Sequence, residues 1–445
     1  MAKIVLIGAN HAGIAAANTI LDSGQGHELT IIERNSNISY LGCGTALWIG
    51  RQINGTDGLF YASGQAMADK GAKFLLETSV GRIDFEGKTA YATDKSGGAV
   101  EAKYDKLILA TGSLPIEPKI PGVKLKNVFF VKLFQDGQAI DEALSDPAVK
   151  SVAVVGAGYI GVEIAEAVKR RGKKALLFEA AGTCLSTYYD PWFTEDMDKN
   201  LSDNGIELHF GEVITAIEGA GKVSGVRTDK SAYDAELVIL SIGFRPNCEL
   251  GAGRLKLFGN GAYLADRCQR SSEPDVYAVG DCATVWDNAL GAPAYIALAS
   301  NAVRSGIVAG KNVCGANLES AGVQGSNGIC VFDYKMVSTG LNLAAAKKAG
   351  FDAAYAQFED YQKPAFIEEN NYKVKLRIVY DKKSRRILGA QMASYQDVSM
   401  GIHMFSLAIE EKLSIDKLAL LDIFFLPHFN QPYNYITMAA LGAKD

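Results

Sequence analysis

The chain is 445 residues long, with an ordinary apolar content of 48% and a formal net charge of −5. That length suits two to four domains with packed cores, and the acidic balance offers no basic field for nucleic acid or an anionic membrane surface. Seven scattered cysteines (43, 184, 248, 268, 282, 314 and 330) without a CxxC pair, and only five histidines, argue against a disulfide framework or a zinc site. No stretch of 18 uninterrupted apolar residues occurs, and the opening apolar run at 4–7 is too short for a signal peptide, so a cytoplasmic protein with no membrane partner is expected.

Residues 4–7 read as a buried parallel strand and residues 14–21 as the helix that follows it. Between them, Gly8-Ala9-Asn10-His11-Ala12-Gly13 keeps the first and last glycines of a G-x-G-x-x-G turn, with Asn10 at the middle position. A second strand at 29–32 ends in Glu33, twenty residues after Gly13. This spacing lets a carboxylate accept both hydroxyls of an adenosine ribose while the helix N-terminus faces the pyrophosphate. The bland alternative is a strand–helix unit whose glycines serve packing alone.

The stretch Ser39-Tyr40-Leu41-Gly42-Cys43-Gly44 places one cysteine at the expected start of a helix over 45–52. A helix N-terminus favours a thiolate, and Gly42 and Gly44 leave the sulfur open to a flat ligand or a small oxidant. The alternative is an inert structural cysteine. Position 48 is Trp, so no second thiol follows at the spacing of a redox dithiol.

A second copy of the nucleotide unit begins 148 residues after the first. The strand at 151–155 leads into Gly156-Ala157-Gly158-Tyr159-Ile160-Gly161, a full G-x-G-x-x-G, then a helix over 162–170 and a strand at 175–178 ending in Glu179. An acid there, with no arginine just after it, repels a 2′-phosphate and favours NAD over NADP. The pattern Leu107-Ile108-Leu109-Ala110-Thr111-Gly112 recurs as Val238-Ile239-Leu240-Ser241-Ile242-Gly243, which makes the duplication a repeat of whole units. The proline-rich segment 115–121 reads as a linker out of the first unit and 244–247 as the return. A strand at 276–279 then delivers Gly280-Asp281 back to the first site, followed by a helix over 298–310 that contains Arg304.

From about residue 323 the character changes, with strands at 336–341 and 373–380 and a helix over 399–411. The aromatic segment 424–430 has the composition of core, and the domain as a whole suits an apolar dimerisation surface. The expected class is therefore α/β: two nested Rossmann-like FAD- and NAD-binding domains plus a C-terminal α+β dimerisation domain. Their expected bounds are 1–118 with 248–322, 119–247 and 323–445.

Taken together, the Gly8–Gly13 turn with His11, the Ser39–Gly44 segment, Thr111-Gly112, the Gly156–Gly161 turn, Gly280-Asp281 and the 426–430 tail carry a resemblance over nearly the full length. The chain resembles the single-cysteine branch of the FAD-dependent pyridine-nucleotide disulfide oxidoreductases, and within it the water-forming NADH oxidases. Gly42 in place of a serine leans towards the oxidases, and Trp48 sets the chain apart from the two-cysteine reductases. The resemblance implies FAD in the first domain, NADH in the second, dioxygen as substrate and a homodimer whose partner tail covers the flavin, giving Phe425 and His428 a place.

The same resemblance implies that Glu33 binds the FAD ribose, Asp281 the ribityl chain, and Ala110, Thr111 and Gly112 approach the cofactor, with Val80 and Ala299 as further contacts. Tyr159 and Ile160 would lie near the nicotinamide, Glu179 on the adenosine ribose, with Tyr188 and Gly243 along NADH. The implied reaction reduces dioxygen by four electrons through a flavin peroxide and a Cys43 thiolate/sulfenic acid cycle, with His11 as acid/base. His11 could instead hydrogen-bond on the phosphate side, and Arg304 could bias its proton or be a surface charge. The other six cysteines are expected to be inert. Competing readings are an NADH peroxidase, a coenzyme A disulfide reductase (whose usual Pro-Tyr-Tyr is replaced by Thr45-Ala46-Leu47), and a flavin-bound redox sensor.

Overall fold

The computed structural model describes residues 1–444, which three five-stranded sheets organise. The first is all-parallel, in the order Val276–Ala278, Lys106–Leu109, Lys3–Ile7, Glu28–Ile32, Ala72–Leu75. Its central strands are continuous apolar runs because helices and a meander cover both faces; Ile4, Leu6, Ile31 and Ile108 are fully enclosed. The helix His11–Leu21 begins three residues earlier than the periodicity predicts and packs on Ala299–Val313. That packing is close enough that a Cβ at Gly306 would lie 2.3 Å from the Ala12 carbonyl oxygen.

The second sheet repeats the first. Ser151–Val155 is central, flanked by Lys174–Glu179 and Leu237–Leu240, with Glu207–Phe210 and Val128–Phe130 outside, all parallel. Each unit also carries a three-stranded antiparallel meander, within 78–103 in the first and 214–234 in the second. The chain leaves and re-enters the first unit through one antiparallel ribbon, Ser113–Pro115 paired with Phe244–Pro246.

The third sheet is antiparallel, in the order Asn327–Val331, Tyr334–Gly340, Ile387–Ser394, Lys373–Asp381, Ala353–Tyr361. Helices Ser399–Glu410, Ile415–Ala419 and Tyr435–Leu441 bury Ile402, Phe405 and Ile436 in one cluster with Leu376, Ile378 and Met392. The aromatic tail is not part of this core. Phe424 is 66% exposed and Phe429 56%, on a loop held by Asn430, whose side-chain amide donates to the Phe424 carbonyl at 2.7 Å. The composition that reads as core instead forms an apolar surface. Among the described residues no helix is long and apolar enough to cross a membrane.

Candidate active site

Both glycine turns are built for close approach. Gly8 has φ +104° and a Cβ there would sit 2.2 Å from the Ala110 carbonyl oxygen; a Cβ on Gly13 would sit 2.0 Å from the Gly8 oxygen. In the second unit Gly156 has φ +97°, and a Cβ on Gly161 would fall 1.7 Å from the Gly156 oxygen. Gly158, by contrast, faces open space. Asn10 and Gly158 occupy the two N-cap positions without a side-chain cap, and neither helix has an acid in its first turn. The leading N–H groups are thus left for an anion, the arrangement a dinucleotide pyrophosphate requires. Glu33 accepts from the Ala9 N–H at 2.8 Å and from the Asn35 N–H and side chain. Glu179 accepts from Ala157 and Ala181 N–H at 2.8 and 2.9 Å. Each carboxylate keeps lone pairs for ribose hydroxyls.

Asp281 stands on the short 3₁₀ turn Gly280–Cys282, where Gly280 takes φ +69°. Its carboxylate accepts from the Ser113 hydroxyl at 2.8 Å and from Lys132 Nζ at 3.2 Å, and Lys132 also donates to Ser113 at 2.8 Å. Ser113 and Lys132 have no local signature, and composition and spacing did not single them out. Thr111 and Gly112 are tied to Asn247 by three hydrogen bonds across the interdomain ribbon. Ala110 lies under Gly8, Val80 is half-buried in the meander, and Ala299 opens its helix.

His11 is the first residue of its helix, and its Nδ1 meets the Tyr61 hydroxyl at 3.1 Å with the two rings parallel, centroids 5.4 Å apart. Burial lowers the His11 pKa, Asp281 opposes this and Lys132 adds to it. Cys43 responds to the same two charges, so His11 and Cys43 share one electrostatic setting. Arg304 is exposed and donates to Asn301 at 3.2 Å; the charges acting on His11 are those of Asp281 and Lys132.

The structure corrects the sequence reading of Cys43. The helix after it is only Thr45–Ile49, and the cysteine sits inside the 3₁₀ turn Gly42–Gly44 that precedes it. Tyr40 and Thr45 hydroxyls meet at 2.6 Å, and Thr45 donates to the Gly42 carbonyl at 2.7 Å, which fixes the turn. Desolvation in the surrounding recess, followed by Glu163, raises the thiol pKa, so a one-turn helix does not decide the balance; Lys132 pulls the other way. Glu163 itself is pushed up to about 7 by burial and by Glu166. Cys43, Leu47, Glu163, Cys330 and Lys335 line a cavity of about 360 Å³ between the first two units and the third sheet. Cys330 is exposed, whereas Cys184, Cys248, Cys268 and Cys282 are buried. Trp48 is buried and stacks on Phe134 at 5.5 Å, filling the place of a second thiol with aromatic core.

On the second unit the Tyr159 ring meets Tyr188 at 4.4 Å, and its hydroxyl bonds Tyr189 at 3.0 Å and also Asn327 of the third sheet. Ile160 packs beside it at the core edge, and Gly243 takes φ +109° where its carbonyl accepts from Ile116. Phe425 and His428 are exposed. Among the described residues no cluster of His, Cys, Asp or Glu could hold a metal ion.

Residues 2–306 match the model of the pyridine nucleotide-disulphide oxidoreductases, and residues 326–434 match the dimerisation domain of the same family. An NADH oxidase of Lactococcus lactis subsp. cremoris is 59% identical, over 99% of this chain and all of its own length. An NADH oxidase of Streptococcus pyogenes is 55% identical over the whole of both chains. The solved structure of a water-forming NADH oxidase from Lactobacillus brevis bound to NADH superposes with a TM-score of 0.95 at 38% identity, covering 99% of this chain and 98% of that one. The chain belongs to the pyridine nucleotide-disulphide oxidoreductase family.

Proposed function

We propose that this chain is an FAD-dependent NADH oxidase that reduces dioxygen by four electrons to water, with Cys43 as its redox thiol. The observation that carries the reading is that Cys43 and His11 both feel the charges of Asp281 and Lys132, beside a glycine cradle and with no second cysteine at redox-dithiol spacing. The full-length likeness to NADH oxidases supports it.

The residues present fit both nucleotides. The Gly8–Gly13 turn and Glu33 would hold FAD, with Asp281, Ser113 and Lys132 along its chain and Ala110–Gly112, Val80 and Ala299 as nearby walls. The Gly156–Gly161 turn and Glu179 would hold NADH, with Tyr159, Ile160, Tyr188 and Gly243 along it. When bound, FAD supplies acceptance of hydride from NADH and delivery of electrons to dioxygen.

The chain then contributes positioning and one thiol. Once dioxygen has been reduced to the peroxide level, Cys43 Sγ takes one oxygen atom as a sulfenic acid and one water leaves. Two further electrons and two protons return the thiol and release the second water. His11, which takes up a solvent proton during turnover, passes it to the departing oxygen and returns to the neutral ring. A single thiol suits this cycle, because a neighbouring one would condense with the sulfenic acid to a disulfide.

We further infer the domain bounds 1–118 with 248–322, 119–247 and 323–445, and a cytoplasmic homodimer. The exposed tail with Phe424, Phe425 and Phe429 is the apolar surface that pairing would cover, bringing Phe425 and His428 over the partner's flavin. The reading is tested by mixing the yellow holoprotein with NADH in air. An oxidase consumes many equivalents of NADH per flavin, whereas a flavin-bound redox sensor stops after one or two.

A further inference from the structure

We propose that Tyr61 is a positioning residue for His11, its hydroxyl donating to Nδ1 and its ring lying parallel to the imidazole, so that Nε2 carries the ring proton. This rests on the reading of His11 as the proton donor at the site. Two contacts on one partner define the arrangement: the 3.1 Å hydrogen bond and the stack at 5.4 Å with only 3° between the planes. Tyr61 comes from the chain fifty residues on, just past the 3₁₀ turn Asp57–Leu59. There the Ser39 hydroxyl meets the Ala62 N–H at 3.1 Å and pins the segment to the cysteine loop.

The direction of the bond follows from the chemistry of the two groups. A phenol oxygen is a poor acceptor because its lone pair is delocalised into the ring, whereas the unprotonated nitrogen of a neutral imidazole is a strong one. Desolvation of the hydroxyl, on a ring that is itself half exposed, pushes Tyr61 up to about 12, so its proton is retained at neutral pH. Burial also holds His11 below the ordinary imidazole range, which keeps one nitrogen free to accept. With Nδ1 accepting, the single ring proton resides on Nε2. Asp281 and Lys132 are the charged groups facing the ring, and their effects oppose one another. The hydrogen bond from Tyr61 is thus the local interaction that selects the tautomer.

The experiment is ¹⁵N NMR of histidine-labelled, oxidised holoenzyme without NADH, with the His11 signals assigned by their loss in His11→Gln. The wild type is expected to show Nδ1 as a hydrogen-bonded, unprotonated nitrogen and Nε2 as protonated. Tyr61→Phe keeps the stack and removes the bond; it should give a mixture of tautomers and raise the His11 pKa by about 0.5–1 pH unit, since the lost bond favoured the neutral ring. Tyr61→Leu should do the same without the stack. A wild-type spectrum with Nδ1 protonated, or a His11 spectrum and titration unchanged in Tyr61→Phe, overturns the proposal. Because no turnover is involved, the spectral change supports the tautomer assignment even if the water-to-peroxide partition of Tyr61→Phe stays as in the wild type. That second result counts against His11 as the acid and not against Tyr61 as its holder.

Discussion

The Glu179 carboxylate accepts the Ala157 N–H at 2.8 Å, as the Glu33 carboxylate accepts the Ala9 N–H at the same distance one unit earlier. Each acid closes the glycine turn from the end of the next strand while presenting its remaining lone pairs to a ribose. Glu179→Ala removes a charged acceptor that a 2′-hydroxyl uses and a 2′-phosphate is repelled by. Such charged hydrogen bonds contribute about 1.5–3 kcal/mol, so the ratio of kcat/KM for NADH over NADPH should fall about 10- to 100-fold. An unchanged ratio removes Glu179 from the coenzyme site.

Gly8 and Gly158 should respond to substitution in opposite ways. At Gly8 a side chain meets the backbone of Ala110 at 2.2 Å from a left-handed φ, so Gly8→Ala should lower stability by about 2 kcal/mol or more and yield protein poor in flavin. At Gly158 nothing lies within 4 Å, so Gly158→Val should leave the melting temperature and the flavin content unchanged while raising KM for NADH about tenfold. The flavin-to-protein absorbance ratio and thermal melts separate the two outcomes.

Glu163 sets a pH signature on the thiol. Its carboxyl is pushed up to about 7, and its charge raises the Cys43 pKa. As pH rises through 7 the carboxylate forms and disfavours the thiolate, so Glu163→Gln should lower the Cys43 pKa by about half a unit and speed its alkylation about threefold at pH 8. Peptide mapping of the reduced enzyme reads Cys43 separately from the exposed Cys330. Equal Cys43 rates in the two proteins contradict this.

What was legible in the sequence was what repeats locally. Glycines at fixed offsets, an acid at the end of the next strand and apolar runs at strand length located both nucleotide turns and the central strands of both parallel sheets. What escaped was assembled across long separations. Ser113 and Asp281 are 168 residues apart, and Lys132 reaches the pair from the start of the second unit. Tyr61 reaches His11 across a loop without periodicity, and Glu163 approaches Cys43 from the second unit's helix. The surroundings of Cys43 escaped for the same reason: the nearby helix was visible, and the recess that desolvates the thiol and brings Glu163 towards it was not. The aromatic tail looked like core because composition does not tell an enclosed apolar segment from an exposed one.

In the proposed cycle Cys43 carries the second pair of electrons. Cys43→Ser should retain FAD and oxidise NADH while releasing hydrogen peroxide. The direct measurement is the NADH consumed per dioxygen, taken together with a peroxide assay, in the wild type and in Cys43→Ser. About two NADH per dioxygen without peroxide are expected for the wild type, and about one with equimolar peroxide for the variant. A Cys43→Ser enzyme that still consumes two NADH per dioxygen and releases no peroxide would contradict that cycle.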